Sequence, residues 1–337
     1  MNNPKKPLLL LTMGDPCGVG SEVIVKALAE KEVYARCVPV IIGEGSHIRR
    51  AAGFCGLPLS VREIRDPGEA QGVYGTLDVI SLGMVPDDLP FGEVRADAGN
   101  AAFQYLKTAI EYCLAKKAQG IVTAPLNKEA LHLGGHAYPG HTEILADLTG
   151  TKEYAMMLTA PKLRVIHLTT HLGLIDAVHA ITKERTLSVI RIADTTLKRA
   201  GIAAPRIAVS AINPHAGEGG LFGYGEEEEK LVPAIAEAVR EGIDASGPYP
   251  ADTIYTRALK GEFDVVVAPY HDQGHVALKV LDFDAGVNIT VGLNGGMIRT
   301  SVDHGTAFDI AGKNLAQGKS MLEAIYAACE LAPQAEG

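Results

Sequence analysis

The feature that most constrains this chain is an alternation of two residue patterns. Short apolar runs bounded by turn residues are candidate buried strands: Pro7–Met13, Val38–Gly43, Asp78–Leu82, Gly120–Thr123, Leu163–Thr169, Arg206–Ala211, Asp264–Ala268 and Gly286–Val291. Between them Ser21–Glu30, Ala98–Lys117, Lys183–Ala200, Glu226–Gly242 and Lys319–Ala332 place apolar residues at i, i+3 and i+4 and are rich in alanine, as helices require. Strand alternating with helix predicts an α/β fold with a largely parallel sheet covered on both faces. The acidic run Glu226–Glu229 reads as a solvated first helical turn, where carboxylates favour the positive end of the helix dipole. At 337 residues the chain is long enough for about two domains. No low-complexity linker divides it, so the chain is expected to cross between the two more than once and leave a cleft. In such folds ligands bind beyond the carboxyl ends of strands.

Charge narrows the function. Basic residues number 31 against 40 acidic ones, a net charge of -9, and aromatics are only 5%. A nucleic-acid platform is therefore not expected. The apolar run Leu8–Leu11 is too short for a signal peptide or a bilayer span, and no longer one follows. The five cysteines form no Cys-x-x-Cys pair. Together these predict a cytoplasmic protein with reduced thiols and no membrane partner. Cys17 lies in a glycine-rich turn with no base beside it in sequence, and is read as a space-filling thiol.

Candidate chemistry gathers in four places. His171 in HLTTHLGL, His215 in SAINPHAGEGG and His271 in VVVAPYHDQGH each end or follow a strand. Three neutral imidazoles with an open position make a catalytic metal site. For any one of them alone, a hydrogen-bonding histidine is the plain alternative. Asp272 and Glu218 are placed to orient His271 and His215. In Gly140–Glu143, His141 and Thr142 stand where a helix starts and could bind an anion, the alternative being an ordinary N-cap at Thr142. Lys128, after a strand end, reads as solvated. From Lys279 to Gly312, Lys279, Asn288 and Arg299 supply donors suited to a carboxylate or phosphate. The turn His304, Gly305, Thr306 and Ala307 is expected to open a helix that faces a ribose or phosphate. The first loop, Gly14 to Glu22, has glycine spacing that matches neither the dinucleotide fingerprint nor a P-loop.

With those segments in view, the sequence resembles the 4-hydroxythreonine-4-phosphate dehydrogenase family of pyridoxal phosphate biosynthesis, from MGDPCGVG through GHTE, TTHL, NPHAGEGG, PADT, YHDQG and GVNIT to IRTSVDHGTA. The resemblance implies a two-domain α/β/α fold like that of isocitrate and isopropylmalate dehydrogenases, with a cleft between the domains. One domain would comprise residues 1–125 and 285–337 and carry the cofactor loop; the other, 126–284, would carry the metal and the dimer contacts. It implies oxidation by NAD of a 4-phosphorylated four-carbon hydroxy acid, followed by loss of carbon dioxide, with a divalent metal (zinc, cobalt or magnesium). Metal ligands carry over to His171, His215 and His271, and substrate contacts to His141, Thr142, Lys279, Asn288 and Arg299. Cofactor contacts carry over to His304, Gly305, Thr306 and Ala307, in a stretch similar to the adenosine-binding loop of those enzymes. The base would be Lys279 or a metal-bound water, with Asp272 beside it in the catalytic set. A homodimer sharing its active site is implied, and His271 is the ligand expected to cross the interface.

Three departures from the commonest family pattern bear on the substrate. Ser21 stands where a proline is frequent, and His275 stands where biosynthetic members usually carry an apolar residue, which looks more like the branch acting on D-threonate or D-erythronate 4-phosphate. Asn294-Gly295-Gly296 lengthens the segment before Arg299. The rival readings are a dehydrogenase of a cyclic dihydrodiol acid of the terephthalate type, and a non-catalytic metal- or phosphate-binding protein on the same scaffold.

Overall fold

The structure, a computed structural model, describes residues 6–160, 162–281 and 287–333. The described chain forms two units, one of residues up to Lys152 together with those from Leu293, the other Glu153–Gly292. The sequence boundary at 284/285 and the strand start at Gly286 lie outside the described residues.

In the first unit the chain runs β1 (Leu8–Thr12), α1 (Gly20–Leu28), α2 (Lys31–Arg36), β2 (Val38–Gly43), α3 (Gly45–Phe54), β3 (Ser60–Glu63), β4 (Thr76–Ser81), α4 (Ala96–Leu114), β5 (Gly120–Thr123), α5 (Lys128–Leu133) and α6 (His141–Leu148). The second unit follows with β6 (Ala155–Ala160), β7 (Leu163–His167), α7 (Leu174–Ala180), α8 (Lys183–Arg199), β8 (Ile207–Ser210), α9 (Val232–Arg240), β9 (Ala245–Tyr249), α10 (Ala251–Leu259), β10 (Val265–Ala268), α11 (His271–Leu281) and β11 (Val287–Val291). The chain then returns to the first unit as β12 (Ile298–Ser301) and α12 (Lys319–Leu331).

The first unit's strands lie in the order β3-β4-β2-β1-β5-β12 and are parallel throughout. The consecutive Leu9, Leu10 and Leu11 of β1 are all fully buried. Successive strand residues point to opposite faces, so burial of all three means that both faces are covered. The second unit orders its strands β11-β6-β7-β10-β8-β9. Its β6 pairs antiparallel with both β11 and β7, while β7, β10, β8 and β9 are parallel. The Val265–Ala268 run of β10 is likewise buried on both sides. The fold is thus α/β, as the alternation predicts.

Two of the helices expected from the sequence take another form. The stretch after Ala307 opens no helix: isolated turns close from Ile310 N–H to the Ala307 carbonyl and from Lys313 N–H to that of Ile310. Positive φ at Ala307 (42°), Gly312 (74°) and Asn314 (59°) breaks any continuous helical ladder there. The expected helix Glu226–Gly242 instead begins as a π-helical turn, Glu227–Leu231, before α9. Glu227 in that turn is buried, so the acidic run is not simply a solvated face.

Candidate active site

The first unit carries a pocket of about 150 Å³ at the carboxyl ends of β5 and β12. Parallel pairing sets Ser301 opposite Thr123, the last residues of those two strands, and both line it. Arg299, two residues earlier in β12, is buried among them. Its guanidinium donates from Nε and Nη2 to the Thr123 hydroxyl, at 2.9 and 2.6 Å. Among the described residues no carboxylate forms an ion pair with it. Burial holds its pKa down to about 9, with Glu143 acting in the other direction. A guanidinium does not give up its proton under ordinary conditions, so the depression registers an under-compensated buried cation.

His141 lines the same pocket as the first residue of α6. Burial, and then the Arg299 charge, hold its imidazole well below its usual value, so it is neutral near pH 7. The N-cap of α6 is Gly140, with no side-chain cap bond, and Thr142 is the second helical residue. The alternative that Thr142 is an ordinary N-cap therefore fails. Lys128 completes the cationic wall from the start of α5, where Asn127 caps the helix by accepting from Ala130 N–H at 2.8 Å. Lys128 is exposed but faces this pocket rather than serving as a merely solvated side chain. Sequence analysis missed Thr123 and Ser301 and undervalued Lys128. Their signal was position, at or just beyond the ends of neighbouring parallel strands.

His304 and Gly305 form another side of the pocket. The His304 ring holds the Gly305 carbonyl at 2.9 Å, and the Thr306 carbonyl accepts from Val19 N–H at 3.0 Å. The first glycine loop is therefore the backing of the 304–307 turn. Gly14 there has φ +69°, and a Cβ would fall 2.2 Å from the Pro125 carbonyl oxygen, so only glycine fits. Asp15 follows, buried, accepting from Cys17 N–H at 2.8 Å through Oδ1 while Oδ2 has no hydrogen-bond partner among the described residues. Burial pushes its pKa up to about 6, against the Cys17 N–H bond, which lowers it. Burial also pushes the Cys17 thiol up to about 12, leaving it the inert filler expected. The Asn294-Gly295-Gly296 insertion folds as one turn tied to the end of α6: Asn294 N–H donates to Thr151 Oγ1 at 2.8 Å, and its side-chain amide to the Thr149 and Gly150 carbonyls at 3.0 Å. Arg299 keeps its place in β12, opposite Ile121.

The remaining candidates belong to the second unit. His271 opens α11, and its ring centre lies 6.0 Å from that of His171, in the turn after β7. His271 Nδ1 is held by Asp272 Oδ1 at 2.7 Å, and His215 Nδ1 by Glu218 Oε2 at 3.1 Å. With the Nδ1 proton donated to a carboxylate, Nε2 keeps its lone pair for a cation, so the donor chemistry fits a divalent metal. Among the described residues no group of three or more His, Cys, Asp or Glu side chains is arranged to hold a metal ion. His275 stacks on His271 with ring centres 3.6 Å apart and places Nδ1 3.0 Å from the His271 carbonyl, while its own ring lies 4.8 Å from the buried His167. Lys279 stands in the last turn of α11 and Asn288 in β11, opposite Leu158.

A model of the pyridoxal phosphate biosynthetic protein PdxA family matches residues 35–328. The chain belongs to this family. It is 56% identical over 326 residues to the D-threonate 4-phosphate dehydrogenase of Cupriavidus necator, covering 97% of each chain. A solved 4-hydroxythreonine-4-phosphate dehydrogenase from Burkholderia phymatum superposes with a TM-score of 0.94 at 56% identity, covering 97% of this chain and 99% of the other. A terephthalate 1,2-cis-dihydrodiol dehydrogenase from Burkholderia xenovorans superposes with a TM-score of 0.74 at 30% identity, covering 97% and 98%. The protein is accordingly an oxidoreductase acting on a CH–OH group, and the reading as a non-catalytic binding protein is set aside. No helix among the described residues is long and apolar enough to cross a membrane.

Proposed function

We propose that this PdxA-family enzyme oxidises a 4-phosphorylated four-carbon hydroxy acid, D-threonate or D-erythronate 4-phosphate or 4-phosphohydroxy-L-threonine, with NAD and a divalent cation, and that the keto acid then loses carbon dioxide. The observation that carries this reading is Arg299: a buried guanidinium resting on one hydroxyl, without a carboxylate, beside a neutral His141 and an exposed Lys128. Such a charge is strongly favoured by an anion that enters the pocket. Arg299, Lys128 and the His141–Thr142 turn bind substrate oxygen anions, joined by Asn288, and the 304–307 turn binds the dinucleotide. A cation held by Nε2 of His171, His215 and His271 would supply Lewis acidity to the alcohol oxygen, and bound NAD would supply the hydride acceptor. Lys279 is the base that takes the alcohol proton, and Asp272 fixes the tautomer of His271.

A homodimer that shares its site belongs to the same proposal. Each candidate ligand is followed by exposed apolar side chains: Leu174 and Ile175 after His171, Leu221 and Tyr224 after His215, Val276 and Val280 after His271. Apolar surface clustered about functional residues suits an interface. The test is NAD reduction with the three phosphorylated acids, their dephosphorylated forms and a terephthalate-type dihydrodiol, each with zinc, cobalt or magnesium. Turnover confined to phosphorylated acids is expected. The dihydrodiol dicarboxylate would also satisfy Arg299, and preferential turnover of it would replace this substrate class with that of the 30% identical relative.

A further inference from the structure

We propose that Glu227 is a positioning residue for His215, acting through the turn that presents the imidazole; the inference rests on His215 being a cation ligand. Glu227 is only 1% exposed, in a chain whose other acidic residues in the 226–229 run reach solvent. It opens the π-helical turn Glu227–Leu231, a rare geometry that recurs beside functional sites. No cation is ion-paired with it among the described residues. Its carboxylate is instead spent on one strand end: Oε1 accepts from Ile212 N–H at 3.0 Å and Asn213 N–H at 2.7 Å, and Oε2 from the Asn213 side-chain amide at 2.9 Å. Charge-assisted bonds of this kind, shielded from water, are the strong ones.

Immediately beyond Asn213 the backbone does something the sequence disfavours. From His215 to Gly219 every residue is left-handed, with φ of 52°, 55°, 76°, 43° and 64°, and His215, Ala216 and Glu218 carry side chains that resist that region. Such a run persists only where the surroundings over-determine it. Glu227 lies directly under the turn, since a Cβ added to Gly217 would stand 3.2 Å from its Oε2. Glu226 adds a second fastening by accepting from the Asn213 amide at 2.9 Å and from Tyr224 N–H at 2.8 Å. The His215 ring is then oriented by Glu218 and by an edge contact with Phe222, centroids 5.9 Å apart. His215 is exposed and has no core packing of its own. The buried carboxylate thus transmits the rigidity of the core to it.

The test is calorimetric titration of the full-length protein, stripped with chelator, using Zn²⁺ alone as the probe. Variants are Glu227→Gln, His215→Ala and the double variant. Glu227→Gln should fold with a melting temperature near wild type and bind Zn²⁺ about 10–100-fold more weakly, the range for residues that orient a ligand. His215→Ala should lose at least as much, and the double variant no more than His215→Ala, because the two changes act through one imidazole. Wild-type affinity in Glu227→Gln, or losses that add in the double variant, would overturn the inference and leave His215 as a ligand. Wild-type affinity in His215→Ala would instead remove the ligand reading and the inference with it. Should Glu227→Gln fail to fold, Gly217→Ala strains the same turn and presses a methyl against Glu227 Oε2 while leaving the carboxylate itself in place. A folded Gly217→Ala that binds Zn²⁺ as wild type does would count against the proposal.

Discussion

The anion pocket of the first unit and the imidazole site of the second are built on opposite plans. The pocket is assembled by one chain, from adjacent parallel strand ends that parallel pairing brings level, and its central charge is already buried and held by Thr123. The imidazoles stand on turns and at a helix start, partly or fully exposed; His215 and His271 are each oriented locally by a neighbouring carboxylate, and of the three only the His171 and His271 rings lie near one another. On the proposed reading, anion recognition would be preorganised by the core, whereas metal binding would be left for assembly to finish.

The largest effect expected on this contrast is loss of the cation. Dialysis against chelator should bring NAD reduction to background, and added divalent metal should restore it; full activity in the stripped protein would end the metal proposal. Mixing inactive variants asks the assembly question directly. If one of His171, His215 and His271 is donated by a partner subunit, two of the three pairwise mixtures of single alanine variants should regain activity. The failing mixture names the two ligands that come from the same chain. Failure of all three mixtures would break the shared-site half of the comparison.

Arg299→Met should lower kcat/KM for a phosphorylated acid by on the order of 10²–10³-fold, the loss that follows when one member of a buried charge pair is removed. Arg299→Lys should recover little, because an ammonium cannot reproduce the two bonds to Thr123 together with a bidentate grip on an anion. Lys128→Ala, at an exposed edge of the same pocket, should cost about tenfold or less, mainly in KM, in keeping with a solvent-screened charge. Equal losses at the two positions would erase the distinction between buried and rim cations.

The smallest effect is on stability. Burial holds Asp15 up to about 6 against an ordinary 3.8. Between those values the folded state binds a proton that the unfolded chain has released, so stability falls as pH rises through the window and stays lower above it. Asp15→Asn keeps an oxygen for Cys17 N–H and removes the charge. Thermal melts should show it more stable than wild type at about pH 8, by up to about 3 kcal/mol, and little different at about pH 4. A variant less stable at both pH values would show that the ionised carboxylate contributes something the buried geometry does not reveal.

Much of this was legible in the chain. Periodicity located β1, β2, β5, β8 and β10 nearly to the residue, because strands buried on both faces must be apolar throughout. It missed β3 (SVRE) and β9 (ASGPY), whose composition carries no such run, and also β6 (AMMLTA), β12 (IRTS) and α11, whose first residues His271-Asp272-Gln273-Gly274 look like a loop. The expected helix after Ala307 failed because positive φ cannot be read from an alanine or an asparagine. Thr123 and Ser301 escaped notice, and Lys128 reads as solvated, because each is ordinary in type and is distinguished only by lining Arg299's pocket.

By itself the sequence determined the α/β class, the residue types that can hold an anion, a dinucleotide and a cation, and the family to which their order belongs. Local patterning and composition suffice for these, since they depend on what neighbours along the chain can bury or donate. Tertiary structure alone decided that Arg299 is buried with no carboxylate paired to it among the described residues, that Glu227 is inside rather than solvated, and that the first glycine loop backs the 304–307 turn. Each of these is a relation between residues more than ten positions apart. Burial and pairing at such separations are set by how strands are ordered in the sheet, which no local pattern encodes.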